Sequence, residues 1–176
     1  MRFLFLVLLF FISLPSSAQG NYHLVKKSSN LKYSDSIQVG STVITYKGPT
    51  ELEKEEILYH ANLAYKKLDD FYGNPQNCRV RSLNIYHIEK SVINDKQIMH
   101  FINWKELGDV SLFGFYDARA SPKGTASIFL SRIDSKRETI NTIVHEVAHH
   151  YQYTHCLAQS EKEAYNFEIF YRENNS

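Results

Sequence analysis

The chain of 176 residues carries almost no excess of either charge, with 20 Lys and Arg against 19 Asp and Glu. A protein that grips a phosphate backbone needs a basic stripe, so nucleic acid is not an expected partner. Cysteine is scarce, and Cys78 and Cys156 are its whole complement. That excludes a disulfide-dense scaffold but leaves open whether the two pair or stay as buried thiols, because sequence does not tell whether their Cα atoms approach. After Leu14 no apolar run comes near the roughly 20 residues a bilayer-spanning helix needs. Internal repeats and low-complexity tracts are missing too, so one packed domain is the economical expectation.

What is present begins with a short export pattern. Arg2 supplies a positive start, Phe3 to Leu14 are almost continuously apolar, and Ser16, Ser17 and Ala18 form a small-residue cleavage site. Residues 1–18 are therefore expected to be a cleaved signal peptide. Lipid anchoring would require Cys at the cut, where Gln19 stands. Residues 19–176 are expected as a single domain, secreted or periplasmic and without a stable membrane anchor. Arg2 leaves with the signal, which brings basic and acidic residues into balance.

Between Asn21 and Gly48 the pattern is strand-like, with Ser41, Val43 and Thr45 alternating against Thr42, Ile44 and Tyr46. Thr50 followed by Glu53 is a capping box, and Ile57, Ala61, Ala64, Tyr65, Leu68 and Phe71 recur at the helical interval until Gly73, Asn74 and Pro75. Arg81 to Ile88 alternate as a strand, and Ile98, Phe101, Ile102 and Trp104 suggest a shorter helix. Two further strands run through Phe113, Phe115 and Tyr116 and through Ser127 to Ser131, joined by a turn over Ala120 to Thr125. Ser135 with Glu138 and Ser160 with Glu163 open two closing helices. This order predicts an α+β fold, a small, mostly antiparallel sheet packed on helices.

The segment that carries chemistry is His145-Glu146-Val147-Ala148-His149. Residues four apart on a helix lie about 40° apart in projection and one turn along the axis, so both imidazoles can reach one ion. Glu146 sits beside the first histidine and is placed to accept a proton from an attacking water and pass it to a leaving amine. Ile140, Ile143, Val144, Val147, Ala148 and Tyr151 form an apolar stripe that buries one side of the helix and leaves the histidines on its flank. An ordinary amphipathic helix with two surface histidines is the competing account.

A catalytic zinc site usually has three protein ligands, so a third is expected downstream. His155 falls where a longer HExxHxxGxxH pattern puts its third histidine, but Gln152 replaces the glycine that turns the chain. A continuing helix carries His155 about 240° around the axis from His149. Glu163 and Glu161, at the start of the last helix, are the alternatives, and Glu163 is the preferred one. Its competing role is the helix-end hydrogen bonding of a capping box. Tyr151, Tyr153 and Tyr165 can help hold an oxyanion, although packing is the expected role of each.

The run His145 to Gln152 (HEVAHHYQ) and the later Glu163-Ala164-Tyr165-Asn166-Phe167 resemble the gluzincin metallopeptidases, above all the compact minigluzincins or peptidase MA-like domains. Phe71-Tyr72-Gly73, Gly114-Phe115-Tyr116 and Ser127-Ile128-Phe129-Leu130 are similar to that family's strand order. The resemblance implies a zincin-like fold over roughly residues 50–172, with Glu163 as the third ligand. It also implies that Ser127 to Ser131 form the rim against which an extended peptide adds as a strand.

The resulting expectation is an exported Zn2+-dependent metallopeptidase. His145, His149 and Glu163 bind the metal, Glu146 is the general base, and a peptide or protein is the substrate. The alternative is a secreted zinc-binding module that captures or scaffolds peptides without cutting them.

Overall fold

The computed structural model describes residues 31–79, 82–89, 113–118, 125–132 and 135–175. The expected signal segment, the helix expected around Ile98 to Trp104 and most of the turn over Ala120 to Thr125 lie outside the described residues.

Strands β1 (Tyr33–Val39) and β2 (Thr42–Gly48) form an antiparallel hairpin in which Thr42, Ile44, Tyr46 and Gly48 turn inward. Helix α1 (Glu51–Tyr72) follows at once, because the Thr50 side chain accepts the Glu53 amide and satisfies one of the first-turn donors. It stops at Gly73, whose φ of 72° is the left-handed conformation that only a residue without Cβ adopts freely. Strand β3 (Leu83–Glu89) then lies parallel to β2, with α1 as the crossover. Strands β4 (Gly114–Asp117) and β5 (Ala126–Arg132) pair antiparallel, and β5 inserts between β3 and β4. Helices α2 (Lys136–Thr154) and α3 (Glu161–Glu173) are opened by Ser135 and Ser160, whose hydroxyls accept the Glu138 and Glu163 amides.

The protein is therefore α+β, with three helices among the described residues and a five-stranded mixed sheet of order β1-β2-β3-β5-β4. The expected mostly antiparallel sheet is corrected here. The α1 crossover returns the chain to the end of the sheet from which β2 started, so β3 runs parallel to β2, and β5 pairs parallel with β3 in turn. Central position also explains why β5 is buried from Ala126 to Ser131 instead of alternating.

Helix α1 packs on β1 and β2, helix α2 on β4 and β5, and α3 against α2 and α1. One core unites Ile44, Ile85, Ile128 and Leu130 of the sheet with Leu68, Val144, Val147 and Phe167 of the helices. Each such side chain, fully buried, contributes about 2 kcal/mol by transfer from water. Cys78 and Cys156 form a disulfide with Cα atoms 5.9 Å apart, which decides the question the sequence leaves open. It ties the segment after α1 to the end of α2, where the Cys78 and Arg79 amides both donate to Thr154 O at 3.0 Å. No helix among the described residues is long and apolar enough to cross a membrane.

Candidate metal centre

Helix α2 buries Ile143, Val144, Val147, Ala148 and Tyr151 in the core it shares with the sheet and α1, and this fixes the rotation of everything else on it. His145 and His149 emerge together on the flank, their rings 4.9 Å apart between centroids and inclined at 75°. Their Nε2 atoms lie 3.2 Å from each other. Both face Glu161, the first residue of α3. Glu161 Oε2 is 3.1 Å from His145 Nε2, and Oε1 is 3.3 Å from His149 Nε2.

His145, His149 and Glu161 form a cluster that could hold a metal ion. Two ligand atoms bound tetrahedrally at first-row distances of about 2.0–2.1 Å are separated by roughly 3.3–3.4 Å. The two imidazole Nε2 atoms, 3.2 Å apart, stand close to that spacing, and each has a different oxygen of Glu161 within 3.1 to 3.3 Å. Burial, together with the neighbouring His149, lowers the His145 pKa, which keeps the imidazole neutral as a ligand must be. The Glu161 carboxyl is held below its ordinary range, because the two imidazoles outweigh the upward effect of burial. Its side chain is 84% exposed, so the centre opens to solvent on that side.

Glu163 is placed elsewhere. Its amide completes the Ser160 cap, and its carboxylate accepts a hydrogen bond from the Tyr72 hydroxyl at 3.2 Å. Two positions along α3 amount to about 200° of rotation, so the helix turns Glu161 toward α2 and Glu163 toward α1. His155 is also away from the centre. The helix ends at Thr154, Cys156 takes a φ of 55°, and the His155 ring lies on Tyr151 and bonds Tyr151 O at 2.8 Å.

Glu146 is buried on the side of α2 that meets β4. The approach is close, since a Cβ on Gly114 would stand 2.6 Å from Thr142 Cγ2 and 3.7 Å from Glu146 Cγ. Burial raises the Glu146 pKa to about 8, with the Glu161 charge adding to the rise and a hydrogen bond from the Tyr116 amide opposing it. Ser127 to Ser131 do not form the open rim that the family resemblance implies, because β5 is paired on both sides, by β3 and β4; among the described strands β4 is the edge beside α2.

Of the phenols, Tyr151 stacks on Tyr72 and donates to Asp69 Oδ1 at 2.7 Å, Tyr153 lies under the Arg79 guanidinium, and Tyr165 is exposed. Two groups at the centre escape sequence reasoning. Gln152 Oε1 lies 3.3 Å from His149 Nδ1, and Glu168 Oε2 lies 3.8 Å from His145 Nδ1. Spacing offers a signal for both, because Gln152 is three residues beyond His149 on one helix face and Glu168 two turns beyond Glu161.

Comparison with protein-family profiles, with curated proteins and with solved structures finds no match for the chain.

Proposed function

We propose that the protein is an exported zinc metallopeptidase of the gluzincin kind, with His145, His149 and Glu161 as ligands and Glu146 as general base. One observation carries the proposal. The Nε2 atoms of His145 and His149 and the carboxylate of Glu161, from two helices, meet with separations of 3.1 to 3.3 Å, each ring facing one of the two carboxylate oxygens, and a buried carboxyl lies one residue from the first histidine. Zinc fits the two-imidazole, one-carboxylate donor set and, when bound, supplies Lewis acidity toward a carbonyl oxygen and makes water a better nucleophile at neutral pH.

The chain's own groups account for the remainder. Glu146 takes the proton of the attacking water and returns it to the departing amine. The Tyr116 amide holds that carboxyl in place from β4. The edge of β4, four residues long, is where an extended peptide can add beside α2.

Metal analysis of the purified protein together with cleavage of a mixed peptide library tests the reading. One zinc per chain, cleavage abolished by a chelator and by Glu146→Gln, and zinc retained in that variant are expected. Zinc at full occupancy without cleavage would instead identify a peptide-capture module, and less than a tenth of a zinc per chain would overturn the metal centre itself.

A further inference from the structure

Gln152 is fully buried in the last turn of α2, beside the connection to α3. Its carboxamide uses all of its hydrogen-bonding capacity. Nε2 donates to the Tyr72 hydroxyl at 2.9 Å and to Ser160 O at 3.3 Å. Oε1 accepts the Ser160 amide at 3.1 Å and faces His149 Nδ1 at 3.3 Å. The two bonds to Ser160 fix which end of the amide is oxygen, because a backbone N–H can meet only an acceptor and a carbonyl only a donor. With oxygen facing it, His149 Nδ1 must carry the proton. Its Nε2 lone pair is then left toward His145 Nε2 and Glu161 Oε1, at 3.2 and 3.3 Å.

We propose that Gln152 is the positioning residue of the metal centre. It sets the tautomer of one ligand, His149, and holds the backbone of Ser160, one residue before the second ligand, Glu161. A single buried side chain on α2 thus couples the ring that must present a bare nitrogen to the helix start that must present a carboxylate. A bare Nε2 on His149 is an acceptor that either an N–H on His145 Nε2 or a cation held between the rings and Glu161 must meet. The position that breaks the longer HExxHxxGxxH pattern is occupied by the group that organises this site. The inference rests on the metal-binding part of the proposed function.

The experiment has two independent readouts. Nitrogen-15 spectra of the metal-free protein, taken about two pH units above the ordinary imidazole pKa, report which ring nitrogen of His149 is protonated. Zn2+ affinity by competition with a chromophoric chelator reports the consequence. Wild-type His149 is expected as the Nδ1–H form. Gln152→Met, which removes the acceptor oxygen and the donor NH2, is expected to lose that preference and to weaken Zn2+ binding by roughly 10- to 100-fold. Gln152→Glu keeps an acceptor oxygen for His149 Nδ1 and is expected to retain the Nδ1–H form; a folded Gln152→Glu that loses it overturns the inference even if the Met variant fails to fold. A wild-type His149 protonated on Nε2, or a folded Gln152→Met with unchanged tautomer and affinity, overturns the inference. If the wild-type protein shows the Nδ1–H form but binds no Zn2+, the proposed function fails while Gln152 still sets the tautomer.

Discussion

Glu146→Gln is expected to make the metal-free protein more stable at neutral pH. Glu146 is 7% exposed, and burial raises its pKa from 4.5 to about 8. In the unfolded chain it ionises near its ordinary value, so between those two pH values the native state holds a proton that the unfolded state releases. The sign follows from proton linkage: the stability present below pH 4.5 is progressively lost as pH rises toward 8. At pH 7 the gap spans about 2.5 pH units at 1.36 kcal/mol each, a penalty on the order of 3 kcal/mol. Glutamine has the same shape, offers an oxygen to the Tyr116 amide and has no proton to lose. For a domain of this size the gain corresponds to roughly 6–12 °C in Tm. Denaturant unfolding of both proteins with chelator present, from pH 4 to pH 8.5, measures it. The difference should be close to zero at pH 4 and grow by about 1.4 kcal/mol per unit above pH 4.5. A difference that is flat with pH, or a variant less stable at pH 7, would refute the argument that burial controls this carboxyl.

Three further outcomes follow from the same coordinates. Glu161→Gln should weaken Zn2+ binding by more than the 10- to 100-fold typical of an outer partner, while Glu163→Gln should change it by less than about threefold; equal losses would put the third ligand back in question. Replacing Cys78 and Cys156 by Ser releases a cross-link across 78 positions and should lower stability by roughly 4 kcal/mol in denaturant, with a loss under about 1 kcal/mol contradicting it. Gly114→Ala places a methyl 2.6 Å from Thr142 Cγ2 and 3.1 Å from Phe129 O, so β4 must move off α2, at a cost of about 1–3 kcal/mol. Wild-type stability in that variant would show that the contact between β4 and α2 yields easily.

The three described helices were legible because their signals are local. Thr50, Ser135 and Ser160 each cap as the spacing to Glu53, Glu138 and Glu163 implies, and the apolar stripe of α2 is buried as its periodicity requires. Strand direction was not legible, because it depends on where a crossover returns the chain and not on the residues of the strand. Alternation in β3 and the continuous burial of β5 carry no mark of parallel pairing that a short apolar run lacks. Which of two acids joins the histidine pair was not legible for a related reason. Glu161 and Glu163 share the first turn of α3, and what separates them is the Tyr72 hydroxyl of α1, which no spacing within α3 reveals.

The proposal of a metal centre over an amphipathic helix bearing stray histidines rests on the number of locally unfavourable arrangements within two turns. Glu146 is a carboxyl buried where an apolar side chain would serve stability better. His149, with its proton drawn to Gln152, leaves a lone pair facing a carboxylate oxygen. His145 is pushed toward neutrality within 3.1 Å of an acid that would otherwise favour its charge. Packing explains none of these, whereas one cation among His145, His149 and Glu161 relieves two of them and makes use of the third. Local rules broken together at one place, without gain to the core, are what a functional centre leaves in a fold.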